Sequence, residues 1–333
     1  ITSVTEPVNS RILRQVEGTI RVPLYVDSEG PTSSINRDAG GNIIAMGEAE
    51  VPFTLRIPVS LQEASTALPA RTVQYGHGFF AQRNEVESGW LDELADGFGF
   101  VLAAVDWWGM SADDLDEPLN SIISNPSSLL QFTDRLHQGM ANQIALSYAL
   151  AGPLSKLAEV EIDGVGAIDP EQVYFYGASQ GGILGGTYAA LGPLVTKAVL
   201  SVAGGSFTLM MFRSRYFASF LILINQFVAG PLDAQKWVAL LATTFDRIDP
   251  ITYAPHTIQD LYPESAPVRK VLMQNAIGDS DVTNLSSQLL ARALGVKLLQ
   301  PSPRTIPFLE TVEAPADESA IVEFDFNVPE PLP

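Results

Sequence analysis

A serine flanked by glycines is the residue of this sequence best suited to nucleophilic chemistry. The segment Gly177-Ala-Ser-Gln-Gly181 has the form Gly-x-Ser-x-Gly and follows the short apolar run Val173–Tyr176. Small and apolar residues continue after it and predict a tightly packed helix. A sharp strand-to-helix turn strains its central residue and needs small neighbours two positions away on each side. The pattern therefore predicts that Ser179 presents its hydroxyl at the edge of a sheet, beside the free N–H groups of a helix N-terminus.

The elements around this turn alternate between strands and helices, which is typical of a mostly parallel sheet with helices on both faces. The predicted strands are Thr72–Tyr75, Phe100–Val105, Val173–Tyr176, Ala198–Val202, Val268–Ala276 and Ala320–Phe326, and the predicted helices include Trp90–Gly97, Leu130–Leu150 and Asn284–Leu294. A polar loop is expected between Ser111 and Leu130. The opening of the chain differs, because Arg11–Val26 and Glu48–Val59 alternate loosely and predict antiparallel edge strands.

One segment does not follow the alternation of strands and helices. From Ser206 to about Tyr262 no strand is predicted, and large apolar residues that include Met210 and Phe212 crowd helical stretches. We interpret residues 206–265 as a helical cap inserted after the sixth core strand. The α/β core is then expected to comprise residues 1–205 and 266–333, with N-terminal edge strands over residues 1–60.

From roughly residue 70 to residue 326 the chain resembles the α/β-hydrolase superfamily. The resemblance rests on the serine turn, on the segment His77-Gly-Phe79 after an earlier strand, and on an acidic turn after a later one. It implies an α/β-hydrolase core and a serine esterase or lipase-like enzyme. A glycine-rich turn used only for close packing is the alternative interpretation of the serine motif.

Two backbone amides are implied as donors to the oxyanion of an ester-cleavage intermediate. In the family they belong to the residue after the nucleophile, here Gln180, and to the loop after the third core strand, here Phe79. One such donor contributes roughly 3–4 kcal/mol in the transition state. A plain turn at Gly76-His-Gly78 is the alternative interpretation of the second site.

The orienting acid is expected on the turn after the next-to-last strand, where Asp279 and Asp281 both occur. Asp279 with Val282 fits the family's spacing between the acid and a valine, whereas Asp281 fits a Gly-x-x-Asp form that starts at Gly278. Asp279 is favoured. The other carboxylate is expected to be solvated or to cap the next helix.

The base is harder to assign. The family order is serine, acid, histidine, yet all 3 histidines of the sequence precede Asp279. His77 is expected to brace the oxyanion turn beside the substrate pocket, and His137 to lie on a helix. His256, at the exit of the predicted cap, is the alternative base. We therefore expect the catalytic histidine to follow the last strand, beyond Pro333.

The substrate pocket is expected to be apolar, with Trp107, Met210 and Phe212 among its walls and His77 at its edge. Such a lining favours an ester with an apolar acyl or aryl part, small or polymeric. A polyester depolymerase, thioesterase, peptidase or acyltransferase would use the same serine. A non-catalytic binding protein of this fold is the alternative from another class.

Composition excludes several other functions. The net charge of −19 disfavours nucleic acid and anionic membranes as partners, and the absence of cysteine excludes disulfides and thiolate metal sites. We expect no cofactor, no metal and no transmembrane segment; the acidic run at 113–117 could bind calcium but is expected to be solvated. The acidity is typical of extracellular proteins, so we expect export to the periplasm, cell surface or medium.

Overall fold

The computed structural model describes residues 1–63, 67–125, 129–266 and 268–327. Its strands are β1 (Ser3–Thr5), β2 (Ile12–Pro23), β3 (Glu48–Pro58), β4 (Ala70–Gly76), β5 (Val101–Val105), β6 (Glu161–Ile162), β7 (Val165–Gly166), β8 (Ile168–Ala178), β9 (Lys197–Ser201), β10 (Lys270–Ala276), β11 (Lys297–Gln300), β12 (Thr311–Glu313) and β13 (Ala320–Phe324). Its α-helices are α1 (Gly89–Phe98), α2 (Asp116–Ser124), α3 (Leu129–Ala151), α4 (Gln180–Leu191), α5 (Phe207–Met211), α6 (Ala218–Ile224), α7 (Pro231–Phe245), α8 (Pro250–Tyr253) and α9 (Asn284–Leu294).

In the described residues, 11 strands form one sheet in the order β1-β2-β3-β5-β4-β8-β9-β10-β13-β11-β12. The pairs β1–β2, β2–β3 and β3–β5 are antiparallel. Every other pair of the sheet is parallel. The predicted α/β class, with antiparallel N-terminal strands on a mostly parallel sheet, is confirmed.

The central strands are apolar because the sheet is covered on both faces there. All five residues of β5 are buried, which is the pattern of a strand inside a parallel sheet. β2 instead alternates between buried and exposed residues over its second half, as an edge strand with one solvated face does.

The register of β4 and β8 brings together the two turns that sequence analysis singled out. These strands pair in parallel, with Tyr75 opposite Tyr176 and Gly76 opposite Gly177. The two strands therefore end side by side at the same edge of the sheet. The turn after β4, which contains His77, meets the turn after β8, which contains Ser179.

The described residues between β9 and β10 form helices and no strand, so this segment is helical as predicted. Within it, α8 packs against the core helices α4 and α9, and the Thr187 hydroxyl donates to the Ile248 carbonyl at 2.8 Å. The helices α5, α6 and α7 supply residues to the pockets at the serine edge of the sheet, and we call these three helices and the turns between them the cover. The exact boundary at residues 206–265 stays a prediction.

A helix that packs against the cover was not predicted by sequence analysis. α2 lies where a polar loop was expected between Ser111 and Leu130, and it packs against α6. Its first turn is acidic, because Asp116 and Glu117 stand at the helix N-terminus, where negative charge is favourable. The acidic residues that suggested a loop therefore form the first turn of a helix.

Candidate active site

Ser179 occupies a backbone conformation that few residues other than glycine adopt. Its φ is 56° and its ψ is −121°. The strain is held by hydrogen bonds on both sides: the Ser179 N–H donates to the Ser201 carbonyl at 2.9 Å, and the Ile183 N–H donates to the Ser179 carbonyl at 3.0 Å. A serine kept in this region by its surroundings is a functional candidate, since such strain costs roughly 1–3 kcal/mol.

The flanking glycines are required by backbone contacts. A Cβ on Gly177 would stand 2.1 Å from the Gly181 carbonyl oxygen, and a Cβ on Gly181 would stand 1.9 Å from the Gly76 carbonyl oxygen. No side chain can move aside to relieve either clash, because the opposing atoms belong to the main chain. The turn therefore packs directly on the end of β4.

A cleft opens beside Ser179, with an empty volume of about 300 Å³ that includes space open to solvent. The serine is half-buried, and its hydroxyl has no hydrogen-bond partner within the described part of the chain. The cleft is lined by side chains of the core and of the cover, among them Phe79, Gln180, Met210, Phe217 and Asp281. The hydroxyl is thus presented to a space that a substrate could enter.

The two predicted oxyanion donors both belong to this cleft. Phe79 and Gln180 line it together with Ser179, and in the residues described neither backbone N–H is taken by a protein acceptor. Gln180 is the first residue of α4, so its amide also carries the positive end of the helix dipole. Two residues that line the cleft with Ser179 thus have backbone N–H groups without a protein acceptor in the described residues.

A carboxylate that sequence analysis missed positions the first of these donors. Glu85 accepts the Gly78 N–H at 2.7 Å and the Tyr75 hydroxyl at 3.0 Å. It thereby fixes the turn immediately before Phe79. No spacing rule links Glu85 to the His-Gly turn, because the contact depends on how the chain folds back after β4.

His77 is a bracing residue and not a pocket wall. Its ring is completely buried, and Nε2 accepts the Trp107 N–H at 2.8 Å. Nδ1 therefore carries the proton and donates to the Gly78 carbonyl at 3.0 Å. Burial lowers the pKa of His77, so the ring is neutral. The expectation that it would brace the turn agrees with these contacts, whereas its predicted place in the pocket does not.

Of the two candidate acids, Asp281 faces the serine cleft and Asp279 does not line it. Asp279 Oδ1 instead accepts the N–H groups of Asp281 and Val282 at 2.8 and 3.0 Å. Burial raises the pKa of Asp279. Asp281 Oδ1 is buried without a hydrogen-bond partner in the described residues, and its nearest cation is the exposed Arg215, at 3.5 Å.

No histidine of the described residues lines the cleft. His137 lies on α3, and its Nδ1 bonds the Thr133 carbonyl at 2.7 Å. His256, the alternative base, directs Nδ1 to the Asp260 carbonyl at 2.8 Å and stacks on Tyr262. The structure therefore brings together the serine, the two amides and one carboxylate, without a base from the histidines it describes.

The pocket walls differ from those predicted. Met210 lines the serine cleft as expected, but Trp107 is completely buried and packs edge-on against Phe175 and Tyr188. Phe212 is half-buried and lines neither the cleft nor the apolar cavity behind it. A tryptophan at a strand end was predicted to face the site, but the chain turns it into the core.

The acidic run at 113–117 contains one structural carboxylate. Asp114 is buried and accepts the N–H of Gly109 at 2.8 Å and the Ser111 hydroxyl at 2.6 Å. Arg135 pairs with its other oxygen at 2.5 Å. Because Asp114 holds the loop after β5 in this way, it is not the solvated side chain that was expected.

No protein-family model matches the sequence, and no curated protein matches it. The structure resembles acetyl xylan esterase 1 from Thermoanaerobacterium sp. JW/SL YS485, with a TM-score of 0.53 and 15% identity, over 97% of this chain and 81% of that chain. An acetyl xylan esterase from Paenibacillus sp. R4 gives 0.53 and 12%, over 97% and 82%. A puromycin hydrolase gives 0.50 and 12%, over 96% of this chain but 37% of that chain. At these identities the likeness shows a shared fold.

Proposed function

We propose that this chain, which has the α/β-hydrolase fold, is a serine hydrolase that cleaves carboxylic esters through an acyl-enzyme. One observation carries the proposal: Ser179 is held at φ 56° on a turn that only glycines can flank, with its hydroxyl beside a cleft. Strain of this kind is costly to retain without a use. The esterases of similar fold agree with this function.

In the proposed mechanism, Ser179 Oγ attacks the ester carbonyl while a base removes its proton. The carbonyl oxygen becomes an oxyanion and accepts hydrogen bonds from the Gln180 and Phe79 amides. The protonated base then gives its proton to the departing alcohol, leaving the acyl group on Ser179. Water, activated by the same base, attacks the acyl-enzyme and regenerates the serine.

For the orienting acid we propose Asp281 in place of Asp279. Asp281 faces the serine cleft with an oxygen that lacks a hydrogen-bond partner in the described residues, whereas Asp279 Oδ1 accepts the Asp281 amide at 2.8 Å. Asp279 would then position the backbone of the acid. Arg215 neutralises Asp281 only weakly, since its side chain is 77% exposed.

For the base we propose a histidine that follows β13 beyond Pro333. The carboxyl ends of β10 and β13 are paired, with Ala276 opposite Phe324, so a chain that leaves β13 starts beside the acidic turn. His256→Gln should therefore leave ester hydrolysis unchanged. A loss equal to that of Ser179→Ala would assign the base to His256. An intact mass equal to residues 1–333, in protein that hydrolyses esters, would refute a later histidine.

The substrate is proposed to carry an apolar acyl or aryl part, because Phe79, Met210 and Phe217 surround the serine. Cleavage of amides or thioesters and acyl transfer stay open as second activities, because each would use the same serine. A panel of esters, thioesters and peptides at equal concentration separates them: the proposal predicts the highest kcat/KM for esters. Preference for a peptide would reassign the reaction.

The catalytic and the non-catalytic interpretations are distinguished by Ser179→Ala. The proposal predicts that this variant loses hydrolysis of a p-nitrophenyl ester, leaving roughly 10³–10⁴-fold acceleration over water. Ser155→Ala is the matched control, because the Ser155 hydroxyl donates to the Gly152 carbonyl and lies outside the cleft. Equal rates in all three proteins would identify a binding protein with an unused serine.

Export is proposed for the location and is supported by the net charge of −19. Within the described ranges no helix combines the length and apolar content that crossing a membrane needs. Fractionation of the native host tests the proposal. Recovery of the protein with cytoplasmic markers would contradict it.

A further inference from the structure

A second cavity lies behind the serine cleft. Its empty volume is about 470 Å³, a figure that includes space open to solvent. Every described side chain that lines it is apolar, most of them phenylalanine. We call this cavity the apolar chamber.

Two aromatic residues separate the chamber from the cleft. Phe79 and Phe217 line both spaces, and their ring centroids are 5.4 Å apart at 65°. Phe79 also supplies the second proposed oxyanion donor. The entrance to the chamber is therefore one side chain away from the position of the reacting carbonyl.

The order of the reaction steps determines which side of the ester enters the chamber. The alcohol must leave, and water must reach the acyl-enzyme, so the alcohol side needs an open path. The acyl part stays bonded to Ser179 through both steps. An apolar chamber that borders the cleft at Phe79 and Phe217 therefore fits the acyl part.

Part of the chamber's lining does not border the serine cleft and comes from helices of the core and of the cover. Phe132 on α3 and Phe245 on α7 contact each other with ring centroids 6.1 Å apart, and Trp237, also on α7, lines the chamber with them and does not line the cleft. Trp237 is only half-buried, so its ring can be removed without opening the packed core. Because it lines the chamber and not the cleft, it is the residue with which the depth can be tested.

We propose that the apolar chamber binds the unbranched hydrocarbon chain of the acyl group, and that Trp237 sets its maximum length. This inference rests on the proposed esterase function. An apolar wall gives no partner to a hydroxyl or carboxylate, so acyl groups with a polar end are excluded by the cost of desolvation. Medium-chain esters are then preferred over acetyl esters.

Chain-length kinetics measure the depth of the chamber. For p-nitrophenyl esters from acetate to palmitate, each methylene that enters should raise kcat/KM by about fourfold, until the chain reaches Trp237. Trp237→Ala should move the maximum to longer chains. Leu240→Ala is the matched control, because Leu240 lies on the same helix, is 70% exposed and lines no part of the chamber. A maximum at acetate, or equal profiles for wild type and Trp237→Ala, would overturn the proposal.

A binding measurement separates failure of the chamber from failure of the catalytic proposal. Ser179→Ala protein should bind the fluorescent hydrocarbon probe N-phenyl-1-naphthylamine, and octanoate should displace it more strongly than acetate. When Trp237→Ala is added to the Ser179→Ala protein, the fatty acid that displaces the probe most strongly should be a longer one. Probe binding with this order, in a wild-type protein without esterase activity, would keep the chamber and reject the enzyme. No binding would reject the chamber alone.

Discussion

The turn that carries Ser179 and the helices that cover it are packed in different ways. In α4, every residue from Gln180 to Ala190 is buried, and the turn is fixed by contacts between backbone atoms. In the cover, Ile222, Phe227, Leu232 and Leu240 are 64%, 56%, 65% and 70% exposed. Ser179 is thus held by a main chain that cannot adjust, whereas several large apolar side chains of the cover face solvent and are free to move.

Under the proposed function, this difference fits separate tasks for the two regions. Electrostatic stabilisation of a transition state needs donors whose positions do not change during the reaction. Recognition of a hydrocarbon chain needs only apolar area and adaptable shape. We therefore expect substitutions at the turn to abolish folding or catalysis, and substitutions in the cover to change which substrate is preferred.

The largest effect is expected where the two regions meet. Asp281→Asn should lower kcat for ester hydrolysis by about 10⁴-fold, because an amide cannot hold the proposed catalytic histidine in its correct tautomer. The matched variant is Asp279→Asn, in which Oδ1 still accepts the amides of Asp281 and Val282. Asp279→Asn should lower kcat far less than Asp281→Asn does. Steady-state kinetics check both, and the reverse order would restore Asp279 as the acid.

The second-largest expected effect is on the free energy of unfolding. Gly181→Ala places a Cβ 1.9 Å from the Gly76 carbonyl oxygen, so we expect it to lower the free energy of unfolding by more than about 4 kcal/mol. Gly97→Ala is the control, because a Cβ there meets nothing within 4 Å and the site lies in helix α1. It should stabilise by about 0.5–1 kcal/mol. Denaturant unfolding measures both, and a well-folded Gly181→Ala protein would disprove the backbone account.

A smaller effect depends on pH. Burial lowers the pKa of His77 in the folded protein, so the stability it contributes is complete above its unfolded pKa of about 6.5 and is lost as pH falls below that value. Between about pH 8 and pH 5.5, His77→Gln should therefore lose less stability than the wild type, by up to about 1.4 kcal/mol. Denaturant titrations at both pH values test this. Equal losses would show that His77 does not stay neutral.

The smallest effect belongs to the cover. Leu240→Ala removes a side chain that is 70% exposed, so the free energy of unfolding should change by less than about 0.5 kcal/mol. Thermal unfolding compared with the wild type measures it. A larger loss would mean that the outer face of the cover is packed, and the contrast between the two regions would weaken.

Much of the fold could be predicted because local patterns and packing agree. The glycines around Ser179, the fully apolar β5 and the amphipathic α9 each have one favourable arrangement. α2 was missed because its acidic first turn resembles a loop, and its stability depends on packing against α6. The short β11 and β12 were missed because strands of 4 and 3 residues carry too little periodicity.

The site was predictable only as far as its backbone determines it. Ser179, Phe79 and Gln180 follow from the turns that present them, and all three line the cleft. Trp107 was assigned to the site from its place at a strand end, and Asp279 from the family's spacing between the acid and a valine. The direction of a side chain at a strand end depends on long-range packing, which turns Trp107 into the core and directs Asp281 toward the cleft.

Labelling with a fluorophosphonate probe tests the central claim most directly, since the probe reacts only with a serine made nucleophilic by its surroundings. We predict one probe per chain, attached to Ser179 in the peptide identified by mass spectrometry, and no labelling of Ser179→Ala. The label should appear in protein isolated from its native source, which carries whatever residues follow Pro333. Absence of label in that protein, or a label on another serine, would contradict the proposal that Ser179 is a catalytic nucleophile.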